Sequence, residues 1–202
     1  MSSQGLFSCE LVKLQQQIIF YFQKTMGAEQ SRLKSLSEEV SRDSSITDVD
    51  LSLCIVTDSR LQVLSRVLEY NSSILRLNLA RNVIRDHGAA MIAHALAQNG
   101  TLLELDLSWN AIGEEGAKDL AIALCRNRRL ERLNLHGNRI GDYGGFALEQ
   151  ALLENKDSKL SHIKIGYNGI RYGLKQRLEE TAARNRTRLL SQISQKRNPR
   201  RH

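Results

Sequence analysis

A pattern of five spaced residues recurs five times along the chain at an almost constant interval, and it limits the fold more than any other feature. In its clearest copy the pattern consists of Leu102, Leu105, Leu107, Asn110 and Ile112. The copies begin at residues 46, 74, 102, 130 and 160, so that the interval is 28 residues three times and then 30. Five copies in phase predict a solenoid, in which each repeat buries its apolar face against its neighbours.

Each repeat carries the signals of one short strand and one helix. In the third copy Leu105 and Leu107 alternate with polar residues, which predicts a strand with one buried face. Gly116 follows the strand, and we expect this glycine to allow a tight turn into a helix. Apolar residues then return at the i, i+4 spacing of Leu120 and Leu124, which predicts a helix packed on the strand. Equivalent glycines stand at Gly88 and Gly144.

A polar residue follows each predicted strand at the same place in the repeat. An asparagine amide both donates and accepts hydrogen bonds, so it suits a buried bend that recurs in every repeat. We expect a structural ladder made of Cys54, Asn82, Asn110, Asn138 and Asn168. A second in-phase series lies near the predicted helix ends, where we expect left-handed caps. Its members are Asn71, Asn99, Asn127, Asn155 and Asn185.

These residues resemble the ribonuclease-inhibitor class of leucine-rich repeats, and the resemblance covers residues 46–185. It implies an α/β fold, a right-handed horseshoe arc of about five 28-residue strand–helix repeats with the sheet inside and the helices outside. It also implies a binding role without naming the partner, since the repeat is shared by unrelated functions. The chain departs from the class at Arg60, where glycine is expected, and at Gly173, which stands one residue early.

Residues 1–45 precede the repeats. Leu11, Leu14 and Ile18 fall on one face of a helix predicted over residues 10–24. We predict a helical N-terminal cap over the first repeat. A docking segment for a partner is the alternative, because the apolar run at residues 18–22 exceeds what one amphipathic face needs.

Residues 186–202 follow the predicted repeats, and the end of the chain is strongly basic. Residues 170–202 contain ten Lys and Arg against two Glu, whereas residues 1–169 contain 19 Lys and Arg against 20 Asp and Glu. We predict a basic tail available to anionic surfaces. The alternative is a degenerate capping repeat whose strand includes Leu190 and Ile193. The tail residues of interest are Lys196, Arg197, Arg200 and Arg201.

Composition argues against several classes of function. No apolar run approaches the eighteen residues that a membrane helix needs, and the three cysteines form no metal-binding or disulfide pattern. No nucleophile, phosphate-binding or metalloprotease motif occurs. His136 and His162, which we place at equivalent outward strand positions, are interpreted as surface residues and not as a metal pair. We therefore expect a soluble cytoplasmic protein that is not an enzyme and has no cofactor, metal or small-molecule substrate, with a cytoskeletal, ciliary or nuclear location left open.

The resemblance places the residues between the strand anchors on the concave face of the arc. Their charges alternate in sign from repeat to repeat, which favours a protein partner over a polyanion. Trp109, the only tryptophan, stands beside a ladder residue at a position where packing does not demand an aromatic side chain. Trp, Tyr and Arg are common anchors of interfaces. The predicted partner-binding residues are Arg81, Asp106, Trp109, Arg132, His136, Lys164 and Tyr167.

Taken together, these features predict a protein-interaction module or scaffold within a larger intracellular assembly, cytoskeletal or ciliary. One alternative is a GTPase regulator resembling the Ran GTPase-activating protein, which shares the repeat class. Another alternative is a binder of acidic polymers, either nucleic acid or acidic cytoskeletal tails, through residues 186–202.

Overall fold

The computed structural model describes residues 47–197, in which short strands and helices alternate strictly along the chain. The elements are β1 (Asp48–Asp50), α1 (Asp58–Tyr70), β2 (Arg76–Asn78), α2 (Asp86–Gln98), β3 (Glu104–Asp106), α3 (Glu114–Arg126), β4 (Arg132–Asn134), α4 (Gly141–Glu154), β5 (His162–Lys164) and α5 (Tyr172–Arg197).

The five strands form one parallel sheet in chain order, β1-β2-β3-β4-β5. The central residues of the strands align across the sheet and are all buried. They are Val49, Leu77, Leu105, Leu133 and Ile163. Because consecutive parallel strands need a crossover, one helix of each repeat lies between them in the chain. The predicted α/β solenoid is confirmed.

The core is a single column of apolar side chains between the sheet and the helices. The leucine or isoleucine after each strand is buried, as Leu107 illustrates with 0% exposure. The predicted helical stripe faces the same column, and Leu120 and Leu124 of α3 are buried in it. No repeat can bury this surface without its neighbours, so stacking stabilises the fold.

The first ladder of polar residues joins each repeat to the one before it. The Asn82 amide donates to the carbonyl oxygens of Leu51 (3.0 Å) and Leu79 (2.9 Å), and its Oδ1 accepts from the Val56 amide (2.9 Å). Asn110, Asn138 and Asn168 repeat this arrangement, and of these three only Asn110 is half-buried. Cys54 donates only locally, to the Ser52 carbonyl, at 3.3 Å. Each asparagine of the ladder therefore forms hydrogen bonds with backbone groups of two adjacent repeats.

A second ladder runs along the C-terminal ends of the helices. Asn99 Nδ2 donates to the Leu68 carbonyl (2.6 Å) and the Asn71 carbonyl (3.2 Å) of the preceding repeat, and Oδ1 accepts from the Thr101 and Leu102 amides. The expectation of left-handed caps at these positions is wrong, because the φ angle of Asn99 is −71°. The asparagine is needed there for its side chain and not for its backbone conformation.

Helices α3 and α5 receive N-terminal caps from a carboxylate of the preceding repeat. Asp86 Oδ1 accepts from the amides of Gly113 (2.6 Å) and Gly116 (3.1 Å) at the start of α3. Asp142 accepts in the same way from the Arg171 amide (2.8 Å) before α5. A carboxylate at a helix N-terminus satisfies free amides and is favoured by the helix dipole. Repeats are thus joined by polar contacts on the helical side as well as in the core.

The repeated glycines lie inside the helices, so our interpretation of them as turn residues is wrong. A Cβ on Gly116 would lie 2.9 Å from the Ala89 Cβ and 3.0 Å from the Asp86 Cα. A Cβ on Gly144 would lie 2.9 Å from the Ala117 Cβ. Glycine is therefore required for close packing of one helix on the next.

Replacing Gly116 by alanine is expected to lower the free energy of unfolding by about 2 kcal/mol, because the added methyl group has no room between α2 and α3. The matched control is Gly100→Ala, at a loop position where a Cβ would meet nothing within 4 Å. Alanine there restricts the unfolded chain and is expected to leave stability unchanged or slightly raised. Urea unfolding of both variants measures the difference, and equal losses would contradict the packing explanation.

The C-terminal end departs from the sequence prediction. Helix α5 continues without interruption from Tyr172 to Arg197, so the alternative of a sixth strand around Leu190 is wrong. Asn185 lies within this helix and donates to the Leu160 carbonyl at 3.1 Å. Lys196 and Arg197 belong to the helix, whereas Arg200, Arg201 and the predicted N-terminal segment 1–45 lie outside the described residues. None of the helices within residues 47–197 has the length and apolar character needed to cross a membrane.

Candidate functional site

One position in every repeat has a left-handed backbone. It lies four residues after the central residue of each strand, and we call it the rim position. The φ angles there are 58°, 56°, 55°, 70° and 55°, for Leu53, Arg81, Trp109, Gly137 and Tyr167. A left-handed conformation costs a residue with a side chain about 1 kcal/mol relative to glycine. Only one of the five positions is occupied by glycine, so the other four side chains are retained at a cost.

Three rings meet at the C-terminal half of the rim, and we call Trp109, His136 and Tyr167 the aromatic rim cluster. The ring centroids of Trp109 and His136 are 5.4 Å apart, those of His136 and Tyr167 are 5.0 Å apart, and those of Trp109 and Tyr167 are 6.2 Å apart. These separations are typical of contacting aromatic side chains. The cluster joins residues from three successive repeats.

Two glycines make room for the cluster. A Cβ on Gly137 would lie 2.7 Å from the Trp109 ring, so the absence of a side chain at this rim position lets the indole cross the fourth repeat towards Tyr167. A Cβ on Gly166 would lie 3.0 Å from His136 Nδ1. The backbone beneath is held by the Trp109 amide, which donates to the His136 carbonyl at 2.7 Å. The rings are therefore supported by a rigid part of the solenoid.

The cluster is open to solvent despite its internal contacts. Trp109 is 49% exposed and Tyr167 is 79% exposed. Neither side chain belongs to the apolar core. Exposed aromatic side chains held in place by their neighbours are suited to burial against a partner, where they lose little conformational freedom.

The outward residues of the strands line a concave groove of about 480 Å³. Arg76 forms an ion pair with Asp48 on the preceding strand, and Arg132 forms one with Glu104. Hydrogen bonds from these guanidinium groups hold the pKa values of the Asp48 and Glu104 carboxyls below their usual range. The alternating charges therefore pair across neighbouring strands, as opposite charges in register do.

Two of the predicted binding residues already have partners within the sheet. Arg132 is engaged by Glu104, and Asp106 accepts hydrogen bonds from Asn134 (2.8 Å) and Ser108 (2.6 Å). Alternation of sign, which we interpreted as a sign of a protein partner, is explained within the sheet itself. Both residues remain candidates, but their charges are already compensated.

The placement of two histidines also differs from the sequence prediction. The register of β4 and β5 pairs His162 with Arg132, so His136 is not at the equivalent position. His136 instead lies beyond its strand, in the aromatic rim cluster. Within residues 47–197 no group of three or more His, Cys, Asp or Glu side chains is arranged to hold a metal ion.

Comparison with known proteins accounts for the repeating geometry. A family model described as "Leucine Rich repeat" matches three segments of the chain, residues 70–93, 98–121 and 126–148. The matched segments of the chain are leucine-rich repeats. A search of curated protein sequences gives no significant match.

Two solved structures have the same fold as this leucine-rich-repeat protein. The structure of Leiomodin-1 Actin-Binding Site 2 is 25% identical in sequence with a TM-score of 0.70, over 81% of this chain and 94% of that one. The tropomodulin C-terminal domain from Caenorhabditis elegans is 18% identical with a TM-score of 0.67, over 80% of this chain and 98% of that one.

The leucine-rich-repeat arc brings together some of the predicted binding residues and separates others. Trp109, His136 and Tyr167 are in mutual contact, whereas Arg81 is exposed at the rim of the second repeat. Lys164 lies on β5 and lines a small cleft with His136 and Tyr167. Sequence reasoning missed Gly137 and Gly166 as the residues that make room for the rings. The glycine in the middle of the rim series was the available signal.

Proposed function

We propose that this leucine-rich-repeat protein is a non-catalytic interaction module of the cytoskeleton and that its partner is actin. The observation that carries the proposal is the exposed aromatic rim cluster. The proposed partner-binding surface is formed by the three residues of this cluster, Trp109, His136 and Tyr167.

The cluster is poorly explained as a device for stability. Trp109 and Tyr167 both occupy left-handed positions at which glycine is preferred, and the rim position between them is in fact glycine. The exposure of both rings shows that the core does not need them. Selection for binding supplies a reason to keep large side chains at positions where the backbone disfavours them.

The likeness to Leiomodin-1 Actin-Binding Site 2 supports actin as the partner. That structure matches over most of both chains, and its title describes an actin-binding site. The C. elegans tropomodulin domain supports the fold alone. Since unrelated functions share leucine-rich repeats, the choice of actin requires a direct test.

The full chain is expected to bind actin directly. Purified protein would be incubated with actin filaments and sedimented, and in parallel with labelled monomeric actin in a fluorescence anisotropy titration. We expect saturable binding to at least one of the two forms, since the surface has aromatic anchors and is rigid. Absence of binding to both filaments and monomers would show that actin is the wrong partner.

A further inference from the structure

Lys164 differs from Arg76 and Arg132 of the concave face because no carboxylate in the described part of the chain forms an ion pair with it. Arg76 and Arg132 each pair with an acidic residue on the preceding strand. Lys164 is aligned with Asn134, whose amide already donates to Asp106. Because β5 is the last strand of the sheet in the described part of the chain, no following strand supplies an acidic neighbour. Lys164 forms no ion pair within residues 47–197.

A second ammonium group lies close to the same place. Gly166 follows β5, and Lys175 Nζ is 3.8 Å from the point where a Cβ of Gly166 would stand. Together with His136, Tyr167 and Glu179 these residues line a cleft of about 270 Å³, which we call the basic cleft. A side chain at position 166 would approach both the His136 ring, at 3.0 Å from its Cβ, and the Lys175 ammonium group, so glycine keeps this part of the cleft free.

The charges lining the basic cleft do not cancel. Among the lining residues that the structure describes, Glu179 is the single carboxylate, and this group lies 3.9 Å from Lys175, at the outer limit of an ion pair. Lys164 adds a second positive charge to the lining. Two other cations at this end of the solenoid are engaged elsewhere, since Arg171 pairs with Asp142 and Arg177 pairs with Glu149. Among the described residues, the basic cleft is therefore lined by two ammonium groups and one carboxylate, which leaves a net positive charge.

We propose that the basic cleft binds an acidic segment of the protein partner, with an Asp or Glu carboxylate between Lys164 and Lys175 and neighbouring side chains against the aromatic rim cluster. This inference rests on the proposed function in taking the ligand to be a protein. Continuity between the cleft and the cluster through His136 and Tyr167 favours a peptide, which can supply both a carboxylate and apolar contacts. A nucleic acid would require a continuous row of uncompensated cations, whereas Arg76 and Arg132 of the concave face are paired with carboxylates.

The single tryptophan makes the basic cleft directly observable, because Trp109 contacts the two rings that line it. The emission of Trp109 in the full chain would be followed during titration with an acetylated and amidated hexapeptide of glutamate. The glutamine hexapeptide serves as the uncharged probe. We expect saturable binding of the glutamate peptide and no binding of the glutamine peptide. The affinity for the glutamate peptide should fall as the salt concentration rises, because exposed charges are screened.

The Lys164→Gln, Lys175→Gln double variant is expected to weaken binding of the glutamate peptide about tenfold, the effect of two exposed ionic contacts. The control is Lys156→Gln, Lys159→Gln, which removes the same charge from the loop before β5. Circular dichroism checks that both variants fold. The inference is overturned if the glutamate peptide does not bind, if the double variant binds it unchanged, or if the control loses as much.

The outcome can be separated from that of the actin experiment. If actin binds through Trp109 while the glutamate peptide does not bind, the acidic ligand is wrong and the proposed function stands. If the glutamate peptide binds in the basic cleft while actin does not bind, actin is wrong as the partner and the ligand chemistry stands.

Discussion

Replacing Asn82 by leucine is expected to lower the free energy of unfolding by about 3 kcal/mol. Leucine has a similar size but cannot replace the hydrogen bonds of the amide. The substitution leaves the buried Val56 amide without its acceptor and the Leu51 and Leu79 carbonyls without their donor. Buried backbone groups without partners are among the larger sources of destabilisation by a single substitution. Urea unfolding followed by circular dichroism measures the change.

The matched control for this prediction is Asn78→Leu in the same repeat. The Oδ1 of Asn78 accepts from the Ala80 amide at 3.0 Å, which is a local bond on the half-buried concave side. We expect a loss below about 1 kcal/mol, since one local hydrogen bond is removed and the groups involved can reach water. Similar losses in both variants would contradict the special role of the ladder in joining repeats.

Replacing Trp109 by alanine is expected to weaken binding to actin by about 2 kcal/mol, or about 30-fold in Kd. The indole is the largest side chain of the aromatic rim cluster and has contacts with both other rings. Its half-exposed state leaves further area to be buried by a partner. Anisotropy titration of labelled actin measures the Kd of each variant.

Two further variants separate binding from folding. Trp109→Gly removes the ring and also suits the left-handed backbone, with φ at 55°, so the protein should fold while binding is lost. Tyr70→Ala removes an exposed aromatic side chain at the end of α1, away from the cluster, and should leave the Kd unchanged. If Trp109→Gly binds as well as the parent chain, the aromatic rim cluster is not the actin-binding surface.

Most of the fold can be predicted because its determinants recur at fixed positions. The alternation of Leu105 and Leu107 indicates the strand, and the spacing of Leu120 and Leu124 indicates the helix. The cross-repeat caps also leave a signal, since residues 58, 86, 114 and 142 are all acidic. Recurrence at 28 residues could have pointed to their role.

The candidate site is harder to predict because it depends on contacts between residues that are unlike each other. Nothing in the local sequence shows that Trp109 has a left-handed backbone, because glycine and asparagine are the residues usually found there. Its contact with Tyr167 depends on the absence of a side chain at Gly137, which lies in the repeat between these two residues. The glycine at 116 was misinterpreted for a related reason, since close approach of two helices is a property of the stacked repeats.

The polar bonds between repeats also bear on how such a chain can change length in evolution. Asn82, Asn99 and Asp86 bind backbone groups about 26 to 31 residues away, in the adjoining repeat. Duplication or loss of a block of 28 residues would preserve every one of these partnerships at the new junction, because the incoming repeat presents equivalent groups. Insertions of other lengths are tolerated only in loops such as residues 156–159, where the interval is already 30. Gene rearrangement can therefore lengthen or shorten the arc in whole repeats, whereas the surface formed by unlike rim residues must be rebuilt by point substitution.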